Sequence, residues 1–369
     1  MTHTPSVVLA GGGTAGHVSP LLAMAAAVEA LDPSARITVV GTAEGLEARL
    51  VPAAGYELSL IPRVPMPRRP NLDALRFPFR YRSAIRQARE LLAAVKADVV
   101  VGVGGYVSTP MYRAARTAGV PIVVHEANAR AGLANKVGAK HAAVVGTAFE
   151  GTGLPGARLV GMPMRASIAH LDRAAAQPQA RQAFGLDQGK PTLLVTGGSL
   201  GALSLNTALV AALDALLASG AQVLHVTGRG KAVTNADGTP LARPGYVQVE
   251  YVDGMESAYA AADLVMCRSG AGTVCELAAV GLPSVLVPLP IGNGEQRLNG
   301  EPLVKAGGAL MVDDAALDGA WITSQVVPLL TDTARLNGMR EAATAHGVRN
   351  AAETMAGLIL GAARKGESA

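Results

Sequence analysis

Two cysteines, a single tryptophan and only 3% aromatic side chains in 369 residues are the scarcities of this chain. Cys267 and Cys275 stand eight positions apart, which excludes a CxxC zinc or redox pair and any disulfide framework and suits a reducing cytoplasm. So few aromatics give no basis for the stacking platforms that hold single-stranded nucleic acid. No apolar run of about 18 residues or more survives the interspersed Gly, Pro and charge, so no segment is expected to span a membrane. The N-terminus lacks the basic, apolar and small-residue zones of a secretory leader, and none is expected.

What the chain does have is apolar bulk. Half of its residues are hydrophobic and only 16% are charged, which excludes a disordered or fibrous protein. A length of 369 residues is more than one core usually covers, so two domains of roughly 150–200 residues are expected.

Short β-branched runs alternate with Ala/Leu-rich stretches. Strands are predicted at Ser6–Ala10, Arg36–Val40, Glu57–Ile61, Val99–Val103, Ile122–His125 and Ala142–Val145, with helices near Val18–Leu31, Gly45–Ala53, Leu72–Ala94, Val107–Ala118 and Leu133–Ala139. Strands apolar along their whole length are buried on both faces, which needs a parallel sheet with helices on either side. A second alternation gives strands at Thr192–Thr196, Gln222–Val226, Val247–Glu250, Leu264–Cys267, Ser284–Val287 and Ala309–Val312. The predicted fold class is therefore α/β, two Rossmann-like doubly wound domains facing a cleft. Boundaries are expected at 1–162 for the first domain, 163–190 for a Pro- and Gln-bearing linker, 191–350 for the second domain, and 351–369 for a final helix and tail.

Three strand-to-helix junctions are rich in glycine. Gly11-Gly12-Gly13-Thr14-Ala15-Gly16-His17 follows the first strand, Gly197-Gly198-Ser199-Leu200-Gly201-Ala202 follows Thr192–Thr196, and Arg268-Ser269-Gly270-Ala271-Gly272-Thr273 follows Leu264–Cys267. Glycine admits an anion close to the backbone, and the following helix aims unpaired N–H groups at it. The first junction satisfies GxGxxG, but the ribose-binding acid of a dinucleotide site is missing: Val39-Val40-Gly41-Thr42 occupies its place and Glu44 comes late. Three junctions in two halves point instead to a diphosphate-bearing ligand. Glu276, expected on the first turn of its helix, can accept both hydroxyls of a ribose while the amides of Ala271, Gly272 and Thr273 hold the diphosphate. Simple compensation of the helix dipole is the competing role for that carboxylate. Glu295 and Gln296 follow a buried strand and suit sugar hydroxyls. His17, at a helix N-terminus that disfavours its protonated form, is a candidate base, with capping or packing as the alternative.

Charge is unevenly spread. Arginines 63, 68, 69, 76, 80, 82, 86 and 89 face one acid, Asp73, in a segment of net +7, leaving about −3 for the rest of a +4 chain. Ile61, Val64, Met66, Leu72, Leu75, Phe77, Phe79, Tyr81 and Ile85 are interleaved with them. A basic amphipathic stretch of this kind suits an anionic bilayer surface, and Arg76, Phe77, Phe79, Arg80, Tyr81 and Arg82 are its expected contacts. Nucleic acid is not expected as a partner, because the cluster is short and no recognition motif accompanies it.

In combination GGGTAGHVSP (11–20), VGVGGYVSTP (101–110), HEANARAGLANK (125–136), GGSLGA (197–202), CRSGAGTVCELAAVGLP (267–283) and GEQRLN (294–299) resemble the MurG family. These are the undecaprenyl-diphospho-muramoylpentapeptide β-N-acetylglucosaminyltransferases of bacterial cell-wall synthesis. The resemblance runs in the family's order from about Val7 to Gly361. It implies a glycosyltransferase B fold and transfer of GlcNAc from UDP-GlcNAc to the MurNAc C4 hydroxyl of lipid I, with inversion, to give lipid II. Carried over by position, the donor contacts would be Thr14, Ala15, Gly16, Asn128, Arg165, Ser199 and Gln296, with Val252 reading the uracil through its backbone and Glu276 the ribose. His17 is expected as the base or to position the acceptor, with Glu126 and then His125 behind it, each equally readable as a loop-organising residue. Where the family often has Gly-Asn-Pro-Val-Arg, this chain has Gly161-Met162-Pro163-Met164-Arg165, so a polar contact at 162 is replaced by a thioether. No tightly bound cofactor or metal is expected, a loosely associated Mg²⁺ being left open. The enzyme would sit peripherally on the cytoplasmic face of the cell membrane, beside other cell-wall synthesis proteins. Another glycosyltransferase B enzyme with a diacylglycerol or small-molecule acceptor, a UDP-GlcNAc 2-epimerase and a non-catalytic nucleotide-sugar-binding protein are the alternatives.

Overall fold

The computed structural model describes residues 4–65, 72–198 and 200–366. The chain divides into two units: one holds the residues up to Arg165 together with those from Arg349 onward, the other Ala166–Val348.

The first unit carries a seven-stranded parallel sheet of β1 (Ser6–Ala10), β2 (Arg36–Gly41), β3 (Glu57–Leu60), β4 (Val99–Gly102), β5 (Ile122–Glu126), β6 (Val144–Thr147) and β7 (Ala157–Leu159) in the order β3-β2-β1-β4-β5-β6-β7. Side chains alternate across a strand, and β1 shows what that does to the core. Val7 and Leu9 join a cluster with Leu21, Met24 and Val28 of the helix Ala15–Leu31, while Val8 and Ala10 join one with Ala88, Met111 and Tyr112 on the opposite face.

The second unit repeats the plan with β8 (Thr192–Thr196), β9 (Gln222–Val226), β10 (Tyr246–Val249), β11 (Leu264–Cys267), β12 (Ser284–Leu286) and β13 (Ala309–Met311), ordered β10-β9-β8-β11-β12-β13 and parallel throughout. Both units are doubly wound and Rossmann-like, and the strand order of each reverses between its first and fourth strands. Ligands of such sheets bind at that switch point, beyond the carboxyl ends of the strands. The glycine junctions after β1, β8 and β11 all lie there.

Two expected boundaries are corrected. Residues 163–190 are not a linker: helices Ala166–Ala169 and Arg173–Ala183 fill most of it, and from Ala166 it belongs to the second unit. The reason is a pair of arginines. Arg173 donates to the carbonyls of Tyr259, Gly281 and Ala262, and Arg181 to Ala261 O at 3.1 Å and to Asp263 at 2.7 Å, so both satisfy the open end of the helix Met255–Ala261. The final helix Ala351–Gly366 is not an appendage either, because Met355, Ala356, Ile359 and Leu360 are buried in the first unit's core. Residues 367–369 lie outside the described residues. The strand β7 has no counterpart in the sequence reading; its three residues are all exposed, so it shows no apolar pattern.

Candidate active site

In the first unit the loop after β1 is underpinned by a buried carboxylate that sequence reasoning missed. Glu47 opens the helix Glu47–Ala53 and is fully buried. Its Oε2 accepts Gly13 N–H at 2.7 Å, and its Oε1 accepts Thr42 N–H at 2.9 Å and the Thr42 hydroxyl at 2.8 Å. A Cβ on Gly12, Gly41 or Gly45 would collide with this side chain, so three glycines from three segments make its cavity. Burial pushes its carboxyl upward, but the donors around it outweigh that and hold it below the ordinary value. Glu47 is thus spent beneath the glycine loop and does not supply the ribose-binding acid that the second strand lacks.

His17 stands on the first turn above. Its Nδ1 is 3.2 Å from Gly12 O and 3.2 Å from Thr14 Oγ1. A carbonyl only accepts, so Nδ1 carries the proton in the Gly12 bond and Nε2 keeps its lone pair. Nε2 faces the loop after β4: a Cβ on Gly104 would sit 3.2 Å from it, and one on Gly105 2.8 Å from Gly12 O. Burial lowers the His17 pKa, opposed by the Gly12 carbonyl and the charges of Glu126 and Glu47. Thr14 and Gly16 are exposed beside it, with Ala15 half-buried.

Glu126, the next candidate base, organises its loop. Its Oε1 accepts Asn128 N–H at 2.9 Å, and its Oε2 accepts Gly132 N–H at 2.9 Å and Asn135 Nδ2–H at 3.0 Å. Asn135 reaches across to Tyr112, whose hydroxyl donates to its Oδ1 at 2.9 Å. His125 is fully buried with Nε2 2.9 Å from Gly161 O, which makes it a packing histidine. Met162, where the family often has Asn, is likewise buried, and Arg165 ends the unit's first segment as an exposed residue.

In the second unit the glycines of the two junctions divide by cause. A Cβ on Gly197 would strike Ala202 N, and one on Gly201 would strike Thr227 O, so tight backbone packing requires both. Gly198 has open space around it and a φ of +79° that favours glycine. Gly270, with φ −60°, and Gly272, inside the helix Ala271–Ala279, are different: neither has a positive φ, and neither would meet anything within 4 Å of a Cβ. Neither fold nor backbone demands glycine there, which leaves room for an external body against the helix start. Ser199 lies outside the described residues.

Glu276 is the sixth residue of that helix rather than part of its first turn, which removes dipole compensation as its reason. Tyr259, a large fully buried side chain, donates its hydroxyl to Glu276 Oε2 at 2.8 Å and fixes its direction. Lys231, also absent from the sequence reading, donates to Leu200 O at 2.8 Å and Gly201 O at 3.2 Å. Val252 is buried just beyond β10, next to Tyr251, over whose ring Arg229 lies at 4.6 Å. Gln296 accepts Leu289 N–H at 3.0 Å, and Glu295 beside it is half-buried. Both cysteines have thiols raised to about 12, by burial first and by Glu276 second, so neither is a nucleophile. Among the described residues no group of three His, Cys, Asp or Glu side chains could hold a metal ion.

The basic helix Leu72–Ala94 belongs to the first unit. Leu75 and Phe79 are 71% and 72% exposed, far more than apolar side chains of that size need be, and on the helical period they fall opposite the buried Ala84 and Ala88. Arg76, Arg80 and Arg82 are exposed around them, and Phe77 stacks on Tyr81 at 5.5 Å. Met66, Arg68 and Arg69 lie outside the described residues. Among the described residues no helix is long and apolar enough to cross a membrane.

Comparison with known proteins agrees with this layout. The glycosyltransferase family 28 N-terminal domain matches residues 7–147, and the family's C-terminal domain matches residues 192–355. A UDP-N-acetylglucosamine–N-acetylmuramyl-(pentapeptide) pyrophosphoryl-undecaprenol N-acetylglucosamine transferase of Paenarthrobacter aurescens is 62% identical over 96% of this chain and 95% of its own length. A protein of the same name from Mycolicibacterium smegmatis is 55% identical over 97% and 94%. The crystal structure of Acinetobacter baumannii MurG superposes with a TM-score of 0.78 at 27% identity, covering 97% of this chain and 99% of that one.

Proposed function

Because this chain belongs to glycosyltransferase family 28 and to its MurG branch, we infer that it is an inverting N-acetylglucosaminyltransferase of peptidoglycan synthesis. It moves GlcNAc from UDP-GlcNAc to the MurNAc C4 hydroxyl of lipid I and so forms lipid II. One observation carries this reading: 62% identity to a transferase of that name extends over 96% of the chain, and so across both units.

A β-linked product from an α-linked sugar nucleotide needs a single in-line displacement. Three tasks follow: the acceptor hydroxyl loses its proton, the sugar passes through an oxocarbenium-like state, and UDP leaves with its negative charge. His17 Nε2, with its lone pair kept available by the Gly12 bond, takes the proton. The amides at Ala271, Gly272 and Thr273 stabilise the departing diphosphate and need no resident metal, Mg²⁺ associating loosely at most. Glu276, aimed by Tyr259, takes the ribose hydroxyls, and the backbone at Val252 reads the uracil. Gln296 and Glu295 face the sugar. Asn128, held by Glu126, and Thr14 complete the contacts from the first unit.

The enzyme works at the cytoplasmic face of the cell membrane, held there through Leu75, Phe79 and the arginines around them. At about 1 kcal/mol per basic residue near an anionic surface the attachment is reversible. Vesicles of anionic lipid should sediment the wild type, and charge reversal at Arg80, Arg82 and Arg86 should leave most of it in the supernatant; salt-insensitive sedimentation of both would refute this attachment. The reaction itself is tested by UDP release on mixing with UDP-GlcNAc and a lipid I analogue. Release must depend on the acceptor. Equal release from UDP-GlcNAc alone, or none with both, would overturn the assignment.

A further inference from the structure

Glu47 and His17 do not touch, yet they hold opposite ends of one peptide bond. Glu47 Oε2 accepts the N–H of Gly13 at 2.7 Å, and the carbonyl of that same peptide, Gly12 C=O, is 3.2 Å from His17 Nδ1. A trans peptide points its N–H and C=O in opposite directions in one plane, so the three groups form a line: carboxylate, amide, imidazole. We propose that Glu47 is a positioning residue for the proposed reaction, acting on His17 through the Gly12–Gly13 peptide as the acid of a relayed dyad.

Hydrogen bonds in a chain polarise one another. A carboxylate drawing on the Gly13 N–H pushes electron density onto the Gly12 oxygen, which then accepts more strongly from His17 Nδ1–H. The consequence at the far ring nitrogen is twofold. The proton is fixed on Nδ1, and Nε2 becomes a better base toward the acceptor hydroxyl, which gives up its proton as its oxygen forms the new glycosidic bond and UDP departs. Placing a carboxylate directly on the imidazole would do the same, but here its place is taken by the loop backbone, and the glycines at 12, 41 and 45 exist to let the acid lie underneath. Two charged groups act on His17, Glu47 from below the loop and Glu126 from the end of β5; Thr14, which bonds its Nδ1, and Gly104, which its Nε2 faces, are neutral. Glu126 is committed to Asn128, Gly132 and Asn135, which leaves Glu47 as the acid coupled through a bonded path.

This inference rests on His17 being the base, and its test separates the two. In the full-length protein with ¹⁵N-labelled histidine, His17 is identified by the signals lost in His17→Ala. The wild type should show Nδ1 protonated and Nε2 bare. Glu47→Gln should keep the fold by circular dichroism and move the His17 titration midpoint down by about 0.5–1 pH unit, since the imidazolium loses a stabilising charge. The acid limb of kcat/KM should move with it, and plateau kcat should fall about 3–10-fold, with KM for UDP-GlcNAc within about twofold. A purely structural role for Glu47 would leave plateau kcat in the folded variant where it was, because loss of the charge alone moves the midpoint and not the plateau. An Nε2-protonated wild type, or an unchanged midpoint in folded Glu47→Gln, would overturn the relay; should that variant not fold, the wild-type tautomer decides alone. Full turnover by His17→Ala would remove His17 as the base, and with it any role of Glu47 in the reaction, while acceptor-dependent UDP release would keep the transferase assignment standing.

Discussion

The loops after β1 and after β8 are written in nearly the same letters, GGGTAG and GGSLGA, and are supported by charges of opposite sign. Under the first, Glu47 consumes the Gly13 N–H and sets a negative charge beneath the backbone. At the second, Lys231 takes the carbonyls of Leu200 and Gly201, which leaves positive charge at the loop and spends acceptors rather than donors. A loop whose amide is already bound to an acid is a poor seat for a diphosphate and a good one for a base. A loop whose carbonyls are covered by an ammonium is the reverse. The same glycine motif thus serves two chemistries, and the sign is set by one residue outside each motif.

The largest effect should come from the first loop. His17→Ala is expected to lower kcat by about 10²–10⁴-fold, with UDP-GlcNAc affinity unchanged in a binding titration. A matching loss of donor affinity would show that His17 holds the donor rather than taking a proton and would erase the contrast.

The next effect is on stability and belongs to the second loop's foundation. The directions of a buried chain of bonds are fixed there: Asn206 Nδ2–H donates to Thr227 O at 3.1 Å, so its Oδ1 accepts from His225 Nε2–H, and His225 Nδ1 accepts from the Tyr246 hydroxyl at 2.9 Å. Thr227 O is the atom against which Gly201 packs. Burial pushes the His225 pKa down to about 4. Its folded value lies below its unfolded value, so above about pH 6.5 it adds no pH dependence. As pH falls from there toward 4, the unfolded chain takes a proton that the folded one refuses, and up to about 3 kcal/mol of stability is lost. Urea melts at pH 7 and pH 5 should show that loss in the wild type and a flatter response in His225→Gln. Equal slopes would rule out His225 as its source.

The smallest effect sharpens the contrast most. Lys231→Met should raise KM for UDP-GlcNAc by roughly 3–10-fold, as expected for one partly exposed charge, and leave the acid limb of kcat/KM where it was. A change in that limb instead would mean that the two loops are not electrically independent.

Much of this was legible in the chain itself, for reasons that also explain the failures. Thr192–Thr196, Gln222–Val226 and Leu264–Cys267 are strands with the predicted ends, because a buried parallel strand must be apolar from end to end. The glycine junctions were visible because glycine is costly wherever nothing requires it. Glu47 was not, since its meaning depends on Gly12, Gly41 and Gly45 meeting in space, and each looks like ordinary turn punctuation alone. The stretch 163–190 reads as a linker because Arg173 and Arg181 look like solvated charges. Only the fold reveals that they donate to the carbonyls of residues some 80 to 110 positions later.

The last helix has a consequence for how the molecule is made. Ala351–Gly366 supplies Met355, Ile359 and Leu360 to the same cluster as Val7 and Leu9, so during synthesis β1 waits for a helix some 340 residues further along the chain. The second unit, continuous from Ala166 to Val348, emerges whole in the interval. Of the two units the one begun earlier is therefore completed later, and a nascent chain cut short before Met355 would hold every residue of the second unit and lack part of the first unit's core.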